Sequence, residues 1–410
     1  MSDIITGLDI GTTKICAVIV KRDVNEQLNV VGIGSAPSYG LRKGVVVNIE
    51  QTVQSIQQAL NEAEQMAGIE VNSVFVGIAG DHIRSLNSKG VVGVARDDHE
   101  IEEEDVTRAI NAAKALALPI DREIIHVIPQ EYIVDDQDGI PDPVGLSGVR
   151  LEVEVHIVTA AVTSAQNIVR SVQRAGYRVE QIVLEPLASS LAVLDDDERN
   201  LGVALIDLGG GTSDIAMFFE GHIRHTSVVS LGGQHVTNDI AIGLRTPPEQ
   251  AEIIKIEHGC ALSEMVKSNE TLTVAGVGGR VPRVISRSVL TDIIQPRMEE
   301  ILNLTFQEMK KSDLLNLMAT GAVITGGGAI LKGTIELAEK MWGIPVKLGI
   351  PKYLGGLTES VRNPMYSTAV GLTLFGNQYS DFVPPFSRGT ANNLWDEVRE
   401  NITKFFRRFF

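Results

Sequence analysis

Ile206-Asp-Leu-Gly-Gly-Gly-Thr-Ser-Asp214 stands near the middle of the chain, and Gly7-Leu-Asp-Ile-Gly-Thr-Thr-Lys14 stands about 200 residues before it. Each stretch is an apolar strand, an Asp, a Gly/Thr turn and a second apolar strand, Ile15–Val20 in one and Ile215–Phe219 in the other. That pattern is a β-hairpin with a glycine tip and a carboxylate near the end of its first strand. Glycine lets backbone N–H groups close on an oxyanion with no Cβ in the way. A carboxylate so placed can hold a divalent cation, directly or through water. The candidate phosphate groups are Gly11, Thr12, Thr13 and Lys14 on the first tip and Gly209, Gly210, Gly211 and Thr212 on the second. The candidate Mg²⁺ groups are Asp9 and Asp207. A glycine triplet is costly in conformational entropy, so its presence asks for a reason. Two such hairpins, one per half, can clamp a nucleoside triphosphate and its Mg²⁺ from both sides.

The bulk numbers leave room for this. At 410 residues, with 44% hydrophobic and 21% charged residues, the chain is long enough for two domains or one bilobal one. A formal net charge of −16 argues against nucleic acid as a partner, because polyanion binding needs a basic surface. The two cysteines, Cys16 and Cys260, suggest neither a disulfide scaffold nor a zinc site and fit a reducing cytoplasm. The eight histidines show no metalloprotease spacing. Asp3 and Asp9 interrupt the N-terminal apolar run, so no signal peptide is expected, and no stretch reaches the ~20 apolar residues that cross a bilayer.

Read along its length, the chain opens with strands at 4–10, 14–20 and 28–35, then a helix over Thr52–Ala67 with apolar residues at helical spacing, then a strand at Val71–Ala79. Residues 84–154 change character, with Gly90 and Gly93, an acidic helix start at Glu102–Asp105, strands at Glu123–Ile128 and Glu131–Asp135, and a Pro/Gly/Asp loop; they read as an inserted subdomain. The main fold is expected to resume with strand Val155–Val158, helix Ser164–Ala175, strand Val179–Leu184, helix Pro186–Leu194 and a solvated acidic loop at 195–198. This makes 1–83 and 155–198 the first-lobe core, 199–230 and 306–376 the second-lobe core, and 231–305 a second-lobe insert. A long helix, Asp292–Lys311, precedes strand Ala322–Thr325, helix Leu331–Trp342, strand Val346–Leu348 and helix Ser367–Phe375. Residues 377–393 are polar, contain Pro384 and Pro385, and read as a linker.

Val323-Ile-Thr-Gly-Gly-Gly-Ala-Ile-Leu331 is a strand, three glycines and a helix, which brings Gly326, Gly327, Gly328 and a helix N-terminus to a nucleotide. Neither a Walker A motif nor a Rossmann fingerprint occurs. With this third motif the chain resembles the superfamily of actin, the heat-shock chaperones and the sugar kinases. The resemblance implies an α/β, two-lobed, actin-like ATPase fold (ribonuclease H-like and duplicated), with Glu185-Pro-Leu-Ala-Ser-Ser-Leu-Ala and Tyr366-Ser-Thr-Ala-Val-Gly-Leu as the hinge helices. It also implies that Glu252 and Lys255 contact the ribose and purine of ATP. His126-Val-Ile-Pro-Gln-Glu-Tyr, Asp142–Arg150 and His258-Gly-Cys-Ala are similar to strings of the FtsA family of actin-like bacterial cell-division proteins, and that likeness covers nearly the whole chain. It implies an FtsA-type subdomain at 84–154.

Residues 394–410 place Leu394, Trp395, Val398, Ile402, Phe405, Phe406, Phe409 and Phe410 on one helical stripe, with Lys404, Arg407 and Arg408 among them. At ~1.5 Å per residue such a helix is about 25 Å long. It is too charged to cross a bilayer and suits an interfacial membrane helix, as the resemblance also implies. Hydrolysis needs a group that positions or deprotonates water; in Val162–Asn167 no acid occurs, and only Gln166 or Asn167 could orient water, with Gln166 the candidate. ATP is therefore expected to bind tightly and turn over slowly. The family binds the C-terminal tail of FtsZ through the second-lobe insert, where Arg297 matches its basic residue and Arg280, Arg283 and Arg287 add positive charge. The expected function is a peripheral protein on the cytoplasmic face of the bacterial inner membrane at the division site. It would polymerise, tether FtsZ and help recruit later division proteins. The alternatives are a soluble kinase or a peptide-binding adaptor of the same superfamily.

Overall fold

The computed structural model describes residues 4–380 apart from 96, 97 and 268. The first lobe opens with β1 (Ile4–Ile10), β2 (Lys14–Arg22) and β3 (Leu28–Pro37), followed by the ribbon β4 (Leu41–Arg42) and β5 (Val45–Val46), α1 (Ile49–Ala67) and β6 (Ser73–Ile78). Asn48 caps α1 by accepting from the Gln51 N–H, and Gly68, in the left-handed region, ends it. Val53, Ile56, Ala59, Leu60 and Ala63 form its buried face.

The inserted stretch contains β7 (Arg84–Gly93), α2 (Glu103–Lys114), β8 (Arg122–Val134), β9 (Gln137–Ile140) and β10 (Arg150–Ala161). They make a four-stranded antiparallel sheet, ordered β7-β10-β8-β9, with its own small apolar core. The two short strands expected at 123–128 and 131–135 are one strand. Pro129 lies beside a register shift, where Gln130 drops out of the pairing with β10, and that is how a proline is accommodated inside a sheet. The strand expected to restart the main fold, Val155–Val158, belongs instead to the middle of β10 and pairs into the inserted sheet.

The chain returns to the first lobe through α3 (Val162–Ala175), β11 (Arg178–Leu184) and the connecting helix α4 (Glu185–Val193). The acidic stretch expected as a loop is the cap and first turn of α5 (Asp196–Leu201), where Asp195 and Glu198 form a reciprocal capping box. The second lobe follows: β12 (Val203–Leu208), β13 (Ser213–Phe219), β14 (His222–Val229), α6 (Gly233–Leu244), α7 (Pro248–His258), the ribbon β15 (Thr271–Val274) and β16 (Arg283–Ser286), α8 (Arg287–Lys311), β17 (Ala322–Thr325), α9 (Thr334–Trp342) and β18 (Val346–Leu348). The long helix begins five residues before the expected Asp292, because Ser286 caps it and its interior tolerates Pro296. β19 (Gly355–Gly356), α10 (Thr358–Val361) and the second connecting helix α11 (Ser367–Ser380) close the described chain. Residues 377–380, read as the start of a linker, are the last turn of α11. The remaining linker and the 394–410 helix lie outside the described residues.

Duplication shows in the sheets. In the first lobe the order is β11-β6-β1-β2-β3-β19, and in the second β14-β13-β12-β17-β18. Both contain an antiparallel three-strand meander whose first strand continues into two parallel partners. Every residue of β12 is buried, as expected for a central strand covered on both faces. α4 and α11 pass between the lobes, and the first-strand hairpin of each sheet faces the other across the cleft. The inserted sheet leans on the second lobe at the edge strand β14. Ser85 Oγ donates to the Thr226 carbonyl at 2.9 Å, and Gln130 Nε2 donates to the Ile223 carbonyl at 2.8 Å. Among the described residues no helix is long and apolar enough to cross a membrane.

Candidate functional site

The two hairpin tips, the 326–328 turn and the face of α7 line one cleft of ≈ 810 Å³ between the lobes. Asp9, Gly11, Thr12, Thr13 and Lys14 come from the first hairpin; Asp207, Gly209, Gly210, Gly211 and Thr212 come from the second. Glu252, Lys255, Gly326, Gly327 and Gly328 complete it, so these sequence candidates share one wall-to-wall space.

The glycine triplet has a reason that the sequence did not reveal. Gly210 and Gly211 do not adopt left-handed backbone. They are needed because the opposite tip is in contact: a Cβ on Gly210 would lie 2.4 Å from Thr13 Cγ2, and one on Gly211 would lie 2.7 Å from Thr12 Oγ1. The Gly209 and Gly210 carbonyls are also used, accepting from the Gly233 and Gln234 N–H groups at 2.9 and 2.8 Å, so the second tip is moored to the start of α6. Gly326 is different. Its φ of 86° is left-handed, and a Cβ there would stand 2.4 Å from Asp207 Oδ1. The turn after it is a short 3₁₀ stretch, Gly327–Ile330; the α-helix expected from Leu331 begins only at Thr334, so no α-helix N-terminus abuts the 326–328 turn.

Four carboxyl groups converge at the bottom of the cleft. Asp9 and Asp207 were expected; Glu185 and Asp214 were not singled out. Burial pushes Asp9 up to about 7, with Asp207 adding to the shift and Lys14 opposing it. Burial likewise pushes Asp214 up to about 7, against a hydrogen bond from Thr212 and with Asp207 and Asp9 adding. Glu185 stands well above the usual carboxylate range through burial and the charges of Asp9, Asp214 and Asp207. Asp207 is raised by burial, although Thr368 Oγ1 donates to it at 3.0 Å and Ser189 also bonds to it. Lys14 donates to the Met365 carbonyl at 2.9 Å and sits 4.1 Å from the Tyr366 ring centroid, which ties the first hairpin to the 3₁₀ turn Pro364–Tyr366 that leads into α11. An oxygen-only set of mutually repelling acids suits a hard divalent cation. No group of three or more His, Cys, Asp or Glu among the described residues is arranged to hold a metal by itself, so such a cation would complete its shell with water and ligand oxygens, as Mg²⁺ does.

Gln166 is exposed on α3 and is not part of the cleft wall, which corrects its candidacy. Glu185, at the first turn of α4, is an acid that does line the cleft. Both missed acids carried a signal. Glu185 interrupts the apolar run from β11 into a helix whose other residues are all buried, and Asp214 is a buried acid at the head of an otherwise apolar strand. An acid kept inside such a run is a site candidate.

Three arginines of the second-lobe insert are engaged within the chain. Arg297 Nε bonds Asp239 at 2.5 Å and its Nη1 bonds Glu300. Arg283 Nη2 donates to the Leu244 carbonyl at 2.6 Å, holding the β15–β16 ribbon against the end of α6. Arg287 bonds the His258 carbonyl at 2.7 Å and Glu270 at 2.5 Å, and it borders the cleft. The candidate membrane residues of 394–410 lie outside the described residues.

Comparison with known proteins agrees with this architecture. A family model described as "Cell division protein FtsA" matches residues 204–371, and one described as "SHS2 domain inserted in FTSA" matches 80–159, the stretch that carries the four-stranded sheet. The cell division protein FtsA of Pseudomonas aeruginosa is 51% identical over 405 residues, covering 99% of this chain and 97% of that protein. The cell division protein FtsA of Escherichia coli strain K12 is 41% identical, covering 92% of this chain and 90% of that protein. Among solved structures, a PilM–PilN type IV pilus biogenesis complex superposes with a TM-score of 0.65 at 17% identity, over 91% of this chain and 98% of that one. MreB 5 of Spiroplasma citri bound to AMPPNP gives 0.56 at 13% identity, over 93% and 98%. The fold is therefore the two-lobed actin-like one with an insertion in the first lobe, and the chain belongs to the FtsA family of cell-division proteins.

Proposed function

We propose that this protein binds ATP with Mg²⁺ between its lobes, assembles into filaments on the cytoplasmic face of the bacterial inner membrane at the division site, tethers FtsZ there and helps recruit later division proteins. The observation that carries the nucleotide part is the pair of hairpin tips in contact above four converging acids. Polyphosphate oxygens would lie against the cleft side of the two tips, where backbone N–H groups and Lys14 supply positive character. Asp9 and Asp207 are the groups that would hold Mg²⁺, which supplies charge neutralisation on the phosphates when bound.

Glu185 is the residue positioned to orient or deprotonate water. Burial, with the charges of Asp9, Asp214 and Asp207 adding to it, raises its carboxyl well above the usual carboxylate range, so loss of its proton is disfavoured. This supports tight binding with slow turnover, so that nucleotide governs assembly more than it drives chemistry. A turnover number above roughly 1 s⁻¹, ordinary for an enzyme, would contradict that. The membrane and FtsZ parts rest on the family and on the sequence of residues 394–410 and 280–297. One amphipathic helix is a modest anchor, and polymerisation multiplies it by avidity.

The direct test is calorimetric titration of ATP into the full chain with and without Mg²⁺, alongside Asp207→Ala. Mg²⁺-dependent binding lost in the variant supports the reading. Equal affinity in all three titrations removes Asp207 and the cation from it.

A further inference from the structure

The inserted sheet has two faces of opposite character. Val153, Val155 and Ile157 of β10 pack with Val106 and Ala109 of α2 into the insert's own core. The alternate residues His156 and Val158 point the other way, opposite Asn87 and Ser85 of β7. This second face is bonded to the second lobe. It meets β14, an edge strand, and an edge strand presents a row of outward carbonyls. Ser85 Oγ donates to the Thr226 carbonyl at 2.9 Å, Asn87 Nδ2 to the Arg224 carbonyl at 3.4 Å and Gln130 Nε2 to the Ile223 carbonyl at 2.8 Å. The buried His156 ring bonds Asn87 Oδ1 at 2.7 Å and Thr226 Oγ1 at 3.1 Å. All of these bonds use insert side chains, and among the described residues no backbone ladder joins β7 to β14. His126, opposite Val158 on the same face, accepts from the Leu184 N–H at 2.9 Å, and Leu184 caps the connecting helix α4. At the entry to the insert, the Gly80 backbone bonds Asp214 on the second hairpin.

We propose that the inserted sheet is a strap between the lobes, whose joint with β14 and the contact between the two hairpin tips form and break together. The chain ties the insert to the first lobe alone, since it leaves after β6 and returns into α3. A body tethered to one lobe and bonded to the other cannot keep both attachments while the lobes rotate about α4 and α11. The joint is made of single side-chain bonds, each exchangeable with water, so it can open where a strand ladder would hold. In this structure the joint is made and the tips are in contact at once. Both sites therefore bias one two-state element, the closure of the lobes. Linkage then requires reciprocity: the factor by which the joint tightens ligand binding is the factor by which the ligand tightens the joint. The choice of ligand rests on the nucleotide reading of the cleft.

The test compares the natural full chain with the double variant Ser85→Ala/Asn87→Ala and with Ser88→Ala. Ser88 lies on the same strand, but its hydroxyl donates to the Ala113 carbonyl inside the insert, so it controls for loosening of the insert itself. The dissociation rate of Mg²⁺–ATP should rise by roughly fivefold or more in the double variant and stay unchanged in Ser88→Ala. In the natural chain, hydrogen exchange of the amides in 84–88 and 222–227 should slow when Mg²⁺–ATP is added, and in the double variant that slowing should shrink. Three results would overturn the proposal: an unchanged dissociation rate in the double variant, an equal rise in Ser88→Ala, or exchange at 222–227 that ignores the nucleotide. Failure of the natural chain to bind ATP would contradict the nucleotide reading instead. Small-angle scattering without nucleotide then decides on the strap. A wider lobe separation in the double variant than in the natural chain supports it, and equal separation overturns it.

Discussion

Gly210→Ala puts the cleft's geometry to a quantitative test. The added methyl would lie 2.4 Å from Thr13 Cγ2 and 2.5 Å from Thr13 Oγ1, and ordinary contact begins at 3.4 Å. Rotating Thr13 clears those two atoms but not its Cβ, which stands at 3.0 Å. The tips must therefore move apart, and because they belong to different lobes the cost falls on closure rather than on either core. Overpacking of this kind costs about 1–3 kcal/mol, which corresponds to a loss of roughly five- to 150-fold in Mg²⁺–ATP affinity if binding needs the closed cleft. The thermal unfolding midpoint should hardly move. Trimming the opposing side should relieve the clash in steps. In a double-mutant cycle, Thr13→Ala should recover part of the Gly210→Ala loss, relative to Thr13→Ala alone, and Thr13→Gly should recover nearly all of it. Isothermal calorimetry gives the affinities, and small-angle scattering reports the lobe separation. Natural affinity in Gly210→Ala, or additive losses in the cycle, would refute the argument that the triplet exists for contact between tips.

Three further outcomes are expected. Glu185→Gln should cut ATP turnover by roughly a hundredfold or more, with nucleotide affinity kept or improved because one repelling acid is gone; unchanged turnover would remove Glu185 as the base. Burial holds His156 at about 3 in the folded protein, where its ring bonds Asn87 and Thr226 in neutral form, against an ordinary 6.5. The unfolded chain then binds more protons between those values, so this histidine's contribution to stability is intact above pH 6.5 and is lost as pH falls, by up to about 1.4 kcal/mol per unit. Asp9 and Asp214, raised to about 7, act with the opposite sign in nearly the same window, so the effect is read as the difference in melting temperature between the natural chain and His156→Gln at pH 7.5 and pH 5. A difference that does not change with pH would contradict it. Finally, Arg297→Gln should weaken binding of an FtsZ C-terminal tail peptide by roughly tenfold with ATP affinity unchanged. Gln is preferable to Glu there, since a third acid beside Asp239 and Glu300 would destabilise the helix for reasons unrelated to the peptide; equal peptide affinity would retire the assignment.

What could be read from the chain follows from range. The hairpins carry their signals locally: an apolar strand, an Asp, a Gly/Thr tip and a second strand lie within about fifteen residues each. Repetition of that unit is what made the duplicated, two-lobed fold readable. The errors came where tertiary context overrides local pattern. Pro129 looked like a strand break, yet the register shift beside it lets β8 run through. The 154/155 boundary fell inside β10 because nothing in an apolar alternation says which sheet a strand will join. Asp195 to Glu198 looked like a solvated loop because a capping box and an acidic loop share a composition. At the site, Glu185 was legible in principle as an acid between apolar runs and Asp214 as an acid at the head of an apolar strand, whereas Gln166 was a candidate because the stretch 162–167 holds no acid. The bonds from Lys255 Nζ to the Gly233 carbonyl, Thr237 Oγ1 and Glu252 Oε2 were not legible, since these groups meet only after α6 and α7 pack together.

Assembly on a membrane under the control of nucleotide is tested most directly by co-sedimentation with anionic liposomes. The full chain and a version ending at Asn393 would be compared with and without ATP–Mg²⁺, and pellets viewed by electron microscopy. Only the full chain should pellet, more so with ATP–Mg²⁺, as filaments on the vesicle surface. Both versions remaining in the supernatant under every condition would contradict it.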